Sequence, residues 1–314
     1  MDQLEEKEFV RVATMYYEEG MTQAEIAKKM GVSRSLISKI LLDAKKSGIV
    51  EIFINSKSAY TVNLERKLER KYDLKRVIIV DTSEVENNEI SKTISREAAL
   101  YLKEISKNTS SIGISWGESL RGLVNHYPYT NQSQITVFPL IGGMGDDYID
   151  IHSNQLCYDL ARKMRAKAKY LYAPALVSNE RIKKELKDNP TIHAVFEESK
   201  TVDIALVGIS SPFKESTMVK IGYLNQDDLS EIKANRVIGD INSRFFNETG
   251  EEADCAINRN VLGINLKEIQ AIPTVMTIAY GDEKFNAIQV AVTKKLINVL
   301  VTTDTIAAKL LEEE

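Results

Sequence analysis

The sequence is poor in the residues that build disulfide frameworks and metal centres. Only Cys157 and Cys255 occur among its 314 residues, and the three histidines are scattered. Two cysteines cannot form the dense disulfide network of a small secreted domain, and their rarity is typical of a reducing cytosol. The histidines and cysteines have no zinc-ligand spacing. The sequence therefore predicts a cytoplasmic protein with no metal and no cofactor.

Long hydrophobic stretches are also missing. No run approaches the roughly 18 apolar residues of a membrane-spanning helix, and the acidic N-terminal stretch MDQLEEKEF lacks the apolar region of a signal peptide. There is no internal repeat and no low-complexity segment. Hydrophobic residues make up 43%, charged residues 27%, and the net charge is -4. This composition indicates a water-soluble protein of about two domains that is not a general polyanion binder.

The stretch from residue 22 to residue 46 has the pattern helix, tight turn, helix. Thr22 and Glu25 have the spacing of a capping box at the start of the first helix. Gly31 suits the left-handed conformation that ends a helix, and Ser33 is a suitable N-cap for the second helix. An ordinary helical hairpin with a solvated charged face is the alternative. The agreement of caps and turn favours a helix-turn-helix.

The second helix of this motif has an apolar face and an outer face of polar and basic residues. Six lysine and arginine residues oppose two carboxylates within residues 22–48. Such a helix fits the major groove of DNA. We expect Arg34 and Ser38 to read base edges, and Lys39 and Lys46 mainly to contact phosphate. The predicted DNA-binding residues are Thr22, Gln23, Ser33, Arg34, Ser35, Ser38, Lys39, Lys45 and Lys46.

Further elements flank this motif. Residues 9–17 have a helical apolar stripe, and residues 50–55 alternate as a short strand that would serve as a wing. Leu64, Leu68 and Tyr72 recur every four residues, which predicts an amphipathic helix. This helix either pairs with a second chain or packs on its own domain, and the sequence leaves both open.

From residue 76 the sequence alternates between short apolar strands and helical patterns. The predicted strands are residues 77–80, 112–115, 135–141, 169–177, 203–209, 273–280 and 297–302. This alternation predicts an α/β domain with a Rossmann-like parallel sheet, in which ligands bind beyond the carboxyl ends of the strands. We therefore place an all-α helix-turn-helix domain, with or without a wing, at residues 1–55. A linker helix and the α/β effector domain follow at residues 56–314.

Four of the predicted strands end in loops of small or polar residues. The loops are Ser115-Trp116-Gly117-Glu118-Ser119-Leu120, Gly142-Gly143-Met144-Gly145, Gly208-Ile209-Ser210-Ser211-Pro212 and Gly281-Asp282-Glu283-Lys284. Glycine lets backbone amides approach a ligand, and the start of a following helix attracts anions. Each loop alone is also explained as a plain strand-to-helix turn. Together, on one edge of one sheet, the loops predict a polar pocket for a small hydroxylated ligand.

Individual residues near these loops have two interpretations each. Asp240 suits bidentate hydrogen bonding to vicinal hydroxyls, but on the sequence alone an Asx turn is the favoured interpretation. Asn154 is either a helix cap or a ligand contact. Trp116 belongs to the core or to a pocket wall. Lys284 can reach a phosphate or a sugar hydroxyl.

These blocks, in this order, resemble the SorC family of sugar-responsive bacterial transcriptional regulators. The matching blocks include residues 21–52, GISWG at 113–117, PLIGG at 139–143, HSNQL at 152–156 and VIGDINSRFF at 237–246. The resemblance covers nearly the whole chain. It implies operator binding by the helix-turn-helix, an effector domain similar to sugar-phosphate isomerases, and commonly a tetramer.

The resemblance also implies a set of effector-binding residues. They are Gly113, Ser115, Trp116, Gly117, Glu118, Ser119, Leu120, Gly142, Gly143, Asn154, Gly208, Ser210, Asp240, Gly281 and Lys284. One departure bears on the ligand, because Glu118 stands where many relatives have a small hydroxyl residue. A carboxylate repels a phosphate unless Lys284 or the helix dipole offsets it. The effector is therefore left open between an unphosphorylated sugar or polyol and a sugar phosphate.

The expected function is a DNA-binding regulator whose operator binding is controlled by a sugar, polyol or sugar phosphate of a carbohydrate catabolic operon. One helix-turn-helix reads one half-site, so we expect a homo-oligomer, dimer or tetramer, and no membrane partner. One alternative is a sugar-phosphate isomerase-like enzyme fused to a DNA-binding domain, which needs a positioned acid and base that the strand ends do not obviously supply. A ligand-free DNA-binding protein is the other, and the glycine loops argue against it.

Overall fold

The chain divides into two compact units. The computed structural model describes residues 3–52, 56, 58–145, 147–213 and 216–312. The first unit extends to Ala59 and is helical, and the second begins at Tyr60 and is α/β. This confirms the predicted fold class. None of the described helices is long and apolar enough to cross a membrane.

Helices and strands alternate through most of the second unit. The described helices are α1 (Gln3–Tyr17), α2 (Gln23–Met30), α3 (Arg34–Lys46), α4 (Ala59–Tyr72), α5 (Asn87–Ile105), α6 (Glu118–His126), α7 (Ser153–Met164), α8 (Glu180–Lys187), α9 (Pro190–Ser199), α10 (Thr217–Lys220), α11 (Gln226–Ala234), α12 (Ala256–Asn260), α13 (Leu266–Gln270), α14 (Phe285–Thr293) and α15 (Asp304–Glu312). The described strands are β1 (Arg76–Val80), β2 (Ser111–Ile114), β3 (Thr136–Pro139), β4 (Lys167–Ala168), β5 (Ile204–Ser210), β6 (Val237–Ile241), β7 (Arg244–Asn247), β8 (Thr274–Ile278) and β9 (Val299–Thr303).

The first unit is a three-helix core whose turns form as the sequence predicts. Thr22 caps α2, and its backbone N–H donates to the Glu25 carboxylate at 2.8 Å while its hydroxyl accepts from the Glu25 N–H. Gly31 follows α2 with φ 70°, a conformation that costs glycine nothing. The Ser33 hydroxyl accepts from the Leu36 N–H and caps α3. Every predicted cap of the motif is therefore confirmed.

The predicted wing lies largely outside the described residues. Residues 49–52 are not in a strand, and residues 53–55 are outside the described part of the chain. The wing, and the domain division between residues 55 and 56, stay predictions.

The second unit contains a parallel sheet with a switch in strand order at its centre. The order is β1-β9-β8-β5-β2-β3-β4, and every neighbouring pair along it is parallel. From β2 the chain moves outward through β3 and β4, and from β5 it moves outward the other way through β8 and β9. The gap beyond the carboxyl ends of β2 and β5 is thus a topological switch point, where such sheets bind ligands.

Helices cover both faces of this sheet. One face packs against α5, α6 and α7, and the other against α4, α9, α14 and α15. Alternate residues of each strand enter the two cores, as Leu206 and Val207 of β5 illustrate. This explains why the strands read as continuous apolar runs rather than as alternating ones.

The apolar stripe of α4 packs on its own unit. Leu68 is fully buried, and Leu64 and Tyr72 pack against the same core. Of the two alternatives for this helix, packing on its own domain is confirmed. Leu64 and Tyr72 are only partly buried, so the expectation that the stripe also forms part of a contact with a second chain stays a prediction.

Two glutamates of α4 cover the outer edge of β1. Glu69 accepts a hydrogen bond from the Val77 N–H at 3.1 Å, and Glu65 accepts one from the Ile79 N–H at 3.0 Å. Both carboxylates are buried, and Arg76 lies 3.5 to 3.6 Å from them. These carboxylates occupy the donors that an additional strand would use.

Two segments of the second unit differ from the sequence prediction. Residues 169–177, predicted as a strand, alternate in burial but make only isolated bridges at Pro174 and Leu176, and the strand is the two-residue β4 before them. Pro174 has no N–H for a ladder, which helps to explain the difference. Residues 237–247, which lie outside the strands predicted from the sequence, form the antiparallel hairpin β6–β7 attached to the end of β5.

Candidate functional site

The outer face of α3 carries exposed cationic side chains. Arg34, Lys39 and Lys46 are exposed, and within the described residues none of them forms an ion pair. Ser38, on the same helix, is half-buried, as is Gln23 at the start of α2. Uncompensated cations on the second helix of the motif are available for phosphates and base edges.

Four other predicted DNA-binding residues have contacts within the first unit. The Thr22 hydroxyl donates to the carboxylate of its own capping box at 2.8 Å. Ser33 Oγ lies 2.9 Å from Ser35 Oγ, and Lys45 Nζ lies 5.7 Å from the ring centre of Tyr17. These side chains build the motif, and each must share or give up a contact to reach DNA.

Two leucines on α3 were not predicted as part of this surface. Leu36 is 43% exposed and Leu42 is 56% exposed. Both lie outside the buried stripe that contains Ile37 and Ile40. Their position outside that stripe was the feature of the sequence that could have predicted their exposure. An exposed leucine in the first turn of a reading helix suits contact with a thymine methyl group.

A small polar cavity lies at the switch point between β2 and β5. It brings together ten of the predicted effector residues: Ser115, Trp116, Gly117, Glu118, Ser119, Leu120, Gly208, Ser210, Asp240 and Lys284. Four lining residues were not predicted: Ile209, Thr217, Met218 and Asn242. Its volume is about 70 Å³, below the several hundred Å³ of sites that enclose a whole drug-sized ligand.

Asp240 is a buried carboxylate in the wall of this cavity. Its Oδ1 accepts from the Ser210 hydroxyl at 2.6 Å, and its Oδ2 accepts from the Ser243 N–H at 3.2 Å. Burial raises the pKa of Asp240 to about 6, and these two hydrogen bonds and the Lys284 ammonium only partly offset that effect. Carboxylate oxygens can each accept further hydrogen bonds, so Asp240 can receive ligand hydroxyls.

Lys284 supplies positive charge to the same cavity. It ends a short 3-10 turn (Asp282–Lys284) after β8, and Gly281 begins that turn with φ 97°. The Lys284 Nζ lies 5.8 Å from the ring centre of Tyr280, and within the described residues it makes no hydrogen bond or ion pair. Burial lowers the pKa of Lys284, while Glu283 and Asp240 oppose that shift. An unpaired, half-buried ammonium favours a negative or hydroxyl-rich partner.

The start of α6 offers backbone donors to this cavity. Gly117 is the N-cap, with φ 119° and no side chain to bond the first turn. The amides of residues 118–120 are the first-turn donors that a helix leaves without intrahelical partners. Such amides, with the helix dipole, form a favourable place for an anion or a polar oxygen.

The turn of the β6–β7 hairpin connects three loops around the cavity. Asn242 and Ser243 have φ 56° and 58°, the pattern of a tight hairpin turn. Asn242 accepts from the Ser115 hydroxyl at 2.7 Å and donates to the carbonyls of Leu140 and Ile264. The Trp116 ring N–H donates to Ser243 Oγ at 2.9 Å, so Trp116 is both core and pocket wall. A two-residue Asn-Ser connection between apolar runs was the signal for this hairpin.

The remaining predicted effector residues lie away from the cavity. A Cβ at Gly113 would overlap Leu140, and one at Gly142 would overlap the backbone of residues 173–174. The N–H groups of Gly142 and Gly143 already donate to other carbonyls, at 3.0 and 2.9 Å. Gly142 thus permits close packing of the backbone and Gly113 makes room for the Leu140 side chain, whereas a Cβ at Gly143 would meet no atom within 4 Å.

Asn154 is neither a cap nor a lining residue of the cavity. His152 is the N-cap of α7, and the Asn154 amide instead exchanges two hydrogen bonds with the backbone of Leu171, at 2.9 and 3.0 Å. This pairing fixes the extended segment that follows β4. Within the described residues, no cluster of three or more His, Cys, Asp or Glu side chains is placed to hold a metal ion.

Comparison with known proteins decides the family. Residues 56–312 match the family model described as "Putative sugar-binding domain", and residues 1–46 match "Sigma-70, region 4". The chain is 31% identical to the sorbitol operon regulator of Klebsiella pneumoniae, over 96% of this chain and 97% of that protein. The chain belongs to the SorC family. It is likewise 27% identical to the deoxyribonucleoside regulator of Bacillus subtilis, over 96% of both chains.

Solved structures agree with this SorC-family assignment. The full-length sorbitol operon regulator SorC of Klebsiella pneumoniae superposes with a TM-score of 0.77 at 30% identity, over 98% of this chain and 99% of that chain. A DeoR family transcriptional regulator from Listeria monocytogenes gives 0.76 at 44% identity, over 80% of this chain and 99% of that chain. These relatives are transcriptional regulators and not enzymes. The chain is therefore a sugar-binding transcriptional regulator, and the isomerase alternative is not supported.

Proposed function

We propose that this SorC-family protein binds operator DNA through α3 and that a sugar, polyol or sugar phosphate in the switch-point cavity controls that binding. The observation that carries the proposal is the placement of Asp240 and Lys284 in one cavity with the free first-turn amides of α6. The Asp240 carboxylate can accept hydrogen bonds from hydroxyls, and the Lys284 ammonium and the α6 amides can donate hydrogen bonds to oxygen atoms. This combination suits a small hydroxylated molecule. Two relatives, the sorbitol operon regulator and the deoxyribonucleoside regulator, carry the names of hydroxylated molecules of this class.

The proposed ligand lies with its hydroxyls toward Asp240 and its polar or anionic end toward Lys284 and the α6 amides. A cavity of about 70 Å³ is small for a whole sugar, so the proposed ligand either extends out of its open side or displaces part of the wall. Thr217 and Met218 form that wall from the four-residue helix α10. A short helix has few internal hydrogen bonds to lose, so moving α10 costs less than moving a long helix.

We assign a separate function to each of the two units. Residues 1–55 form the DNA-binding domain, and residues 56–314 form the linker helix and effector domain, in a protein that acts on the bacterial chromosome in the cytoplasm. Arg34 reads bases, with Ser38 beside it, and Lys39 and Lys46 contact phosphates. The ligand is then a substrate or product of the enzymes encoded by the carbohydrate catabolic operon that the protein regulates.

The test is operator binding by the full chain in the presence of a panel of sugars, polyols and sugar phosphates. DNA from upstream of the protein's own gene is labelled, and its binding is followed by fluorescence anisotropy. We expect at least one compound to change the affinity. Lys284→Ala should abolish that change and leave ligand-free DNA binding intact, because Lys284 lies in the second unit.

Lys233→Ala is the matched control, since Lys233 is exposed on α11 and does not line the cavity. It should respond to ligand as the wild type does. A Lys284→Ala protein with a normal response would show that the ligand binds elsewhere. A wild type that answers to no compound of the panel would contradict the proposed control by sugars.

A further inference from the structure

The parallel sheet of the second unit has two outer edges, and they differ in what covers them. At the β1 edge, the carboxylates of Glu65 and Glu69 accept hydrogen bonds from the outward N–H groups. The opposite edge consists of β4 and the extended segment that follows it. There the N–H groups of Lys167 and Lys169 donate to carbonyls on the β3 side. An edge whose outward groups have no partner is a template for pairing with another chain.

The outward groups of this second edge belong to two tyrosines. Leu171 faces the sheet, because its backbone exchanges two hydrogen bonds with the Asn154 amide. Successive residues of an extended chain face opposite ways, so the backbone groups of Tyr170 and Tyr172 face away from the sheet. Among the described residues, neither the N–H nor the C=O of these two tyrosines has a hydrogen-bond partner.

The side chains at this edge form an exposed aromatic cluster. The rings of Tyr170 and Tyr172 stack with their centres 6.1 Å apart, and these side chains are 37% and 77% exposed. Tyr158 of α7 is 44% exposed. Burial is the leading cause of the raised pKa of Tyr170, and the neighbouring Tyr158 and Tyr172 also contribute. The Arg162 guanidinium lies 5.9 Å from the ring centre of Tyr158. Tyrosine and arginine are enriched in protein–protein interfaces.

We propose that residues 170–172, together with Tyr158, form a contact between two copies of this chain, whose sheets join edge to edge across a two-fold axis. We name this surface the tyrosine edge. The inference does not depend on which ligand the switch-point cavity binds.

The two-fold symmetry determines the register of the contact. An axis beside Leu171 places Tyr170 of each copy opposite Tyr172 of the other copy. Directly opposite residues of an antiparallel pair can exchange both of their N–H to C=O hydrogen bonds. Every free backbone group of Tyr170 and Tyr172 then has a partner. Their side chains form aromatic cross-strand pairs on one face, which also stabilise strand pairing.

The charges beside the tyrosine edge suit a second copy of the same chain. In this register Lys169 lies opposite Ala173, so no like charges meet directly, and its ammonium lies 3.4 Å from the Glu198 carboxylate. On α7, Asp159 and Arg162 form an ion pair at 3.3 Å. A surface with both signs of charge can be complementary to itself under a two-fold axis, whereas a strongly acidic or basic partner would meet repulsion there.

The experiment measures the mass of the full chain by sedimentation velocity over a range of micromolar concentrations. In Tyr170→Asp/Tyr172→Asp, carboxylates of the two copies face each other, and like charges directly opposite destabilise strand pairing. We expect the assembly to fall to half of its wild-type mass, or its Kd to rise at least about tenfold. Hydrogen exchange in residues 168–173 should become faster in the same variant, because these amides lose their partners.

A charge-swapped mixture tests the register and shows that the variants fold. Tyr170→Lys/Tyr172→Lys should also have half of the wild-type mass when it is alone. Mixed with the aspartate double variant, it should restore the wild-type mass, because each carboxylate then faces an ammonium. Tyr148→Asp is the matched control, since it places the same charge at a 56% exposed tyrosine outside the tyrosine edge. It should keep the wild-type mass.

Three results would overturn the inference. An aspartate double variant with the wild-type mass would show that the copies meet elsewhere. A mixture that does not regain the wild-type mass would refute the edge-to-edge register. A wild type that is monomeric at every concentration, with fast exchange in residues 168–173, would leave the tyrosine edge to a strand of a different protein.

Discussion

At the scale of single residues, the burial of Asp240 links the stability of the second unit to pH. Its pKa of about 6 lies above the 3.8 of a free aspartate, so the folded chain binds this proton more tightly than the unfolded chain. The contribution of Asp240 to stability is therefore complete below about pH 4 and is lost as the pH rises through 6. The ionised form, which the proposed function requires for accepting ligand hydroxyls, is the form that costs stability.

We predict that Asp240→Asn becomes more stable relative to the wild type as the pH rises. Between about pH 4.5 and 7.5 the difference in free energy of unfolding should move by roughly 2 kcal/mol in favour of the variant, because a neutral amide carries no buried charge. Urea unfolding at several pH values measures it. Asp254→Asn, at a side chain 90% exposed, is the control. A constant difference between Asp240→Asn and the wild type would contradict the assigned pKa.

On α3, the prediction separates residues that read sequence from those that only attract DNA. Arg34→Ala should cost roughly 1–3 kcal/mol on the operator and flatten its sequence preference. Lys46→Ala should weaken all DNA alike and reduce the salt slope by about one. Anisotropy titrations on operator and scrambled DNA at several salt concentrations measure both. Unchanged operator preference in Arg34→Ala would refute the base contact.

At the scale of elements, the β6–β7 turn predicts a measurable difference between two substitutions at one position. Asn242→Ala removes three hydrogen bonds, while the carbonyls of Leu140 and Ile264 keep their other donors, the Ile264 N–H and Arg244, so it should destabilise the second unit by about 2–4 kcal/mol. Asn242→Gly loses the same bonds but accepts φ 56° without strain, and should be roughly 1 kcal/mol more stable than the alanine variant. Urea unfolding gives both values. A loss below about 1 kcal/mol in both variants would mean that these bonds do not hold the turn.

The sequence predicts well the elements whose signals are local. The caps of α2 and α3 depend on residues three positions apart, and the apolar runs of β5 and β8 are long enough to identify alone. The hairpin β6–β7 was missed because its strands are short and its importance comes from contacts with residues far away in the chain. Residues 169–177 have the composition of a strand, but strand pairing is decided by neighbours that a single sequence does not show.

The cavity shows the same difference between local signals, which the sequence contains, and long-range contacts, which it does not. Glycine and hydroxyl residues at strand ends indicated where a ligand site forms, and the switch point between β2 and β5 places them together. The sequence does not distinguish a glycine that approaches a ligand from one that approaches another backbone. Gly117 lines the cavity, whereas Gly142 approaches the backbone of residues 173–174 and Gly113 makes room for the Leu140 side chain. Asn242 was missed because its role depends on the fold of the hairpin.

At the scale of the whole molecule, we predict that the protein is at least a dimer. A single helix-turn-helix contacts one half-site, and two linked copies contact two half-sites, the second at the high effective concentration that the link provides. Leu68 is buried within the second unit, while the partly buried Leu64 and Tyr72 remain candidates for part of the contact between copies. Light scattering at micromolar concentration, with and without operator DNA, measures the mass. A monomer under both conditions would refute the prediction.

The order of strands in the sheet also has a consequence for synthesis on the ribosome. In the ladder, β1 pairs with β9, which emerges roughly 200 residues later, a delay of about 10–40 s at bacterial rates of elongation. During that interval β1 has one edge without its strand partner. The N–H groups at its other edge have partners earlier, because Glu65 and Glu69 of the preceding helix are already synthesised and accept hydrogen bonds from them. The nascent chain thus presents one reactive strand edge instead of two while the effector domain is incomplete.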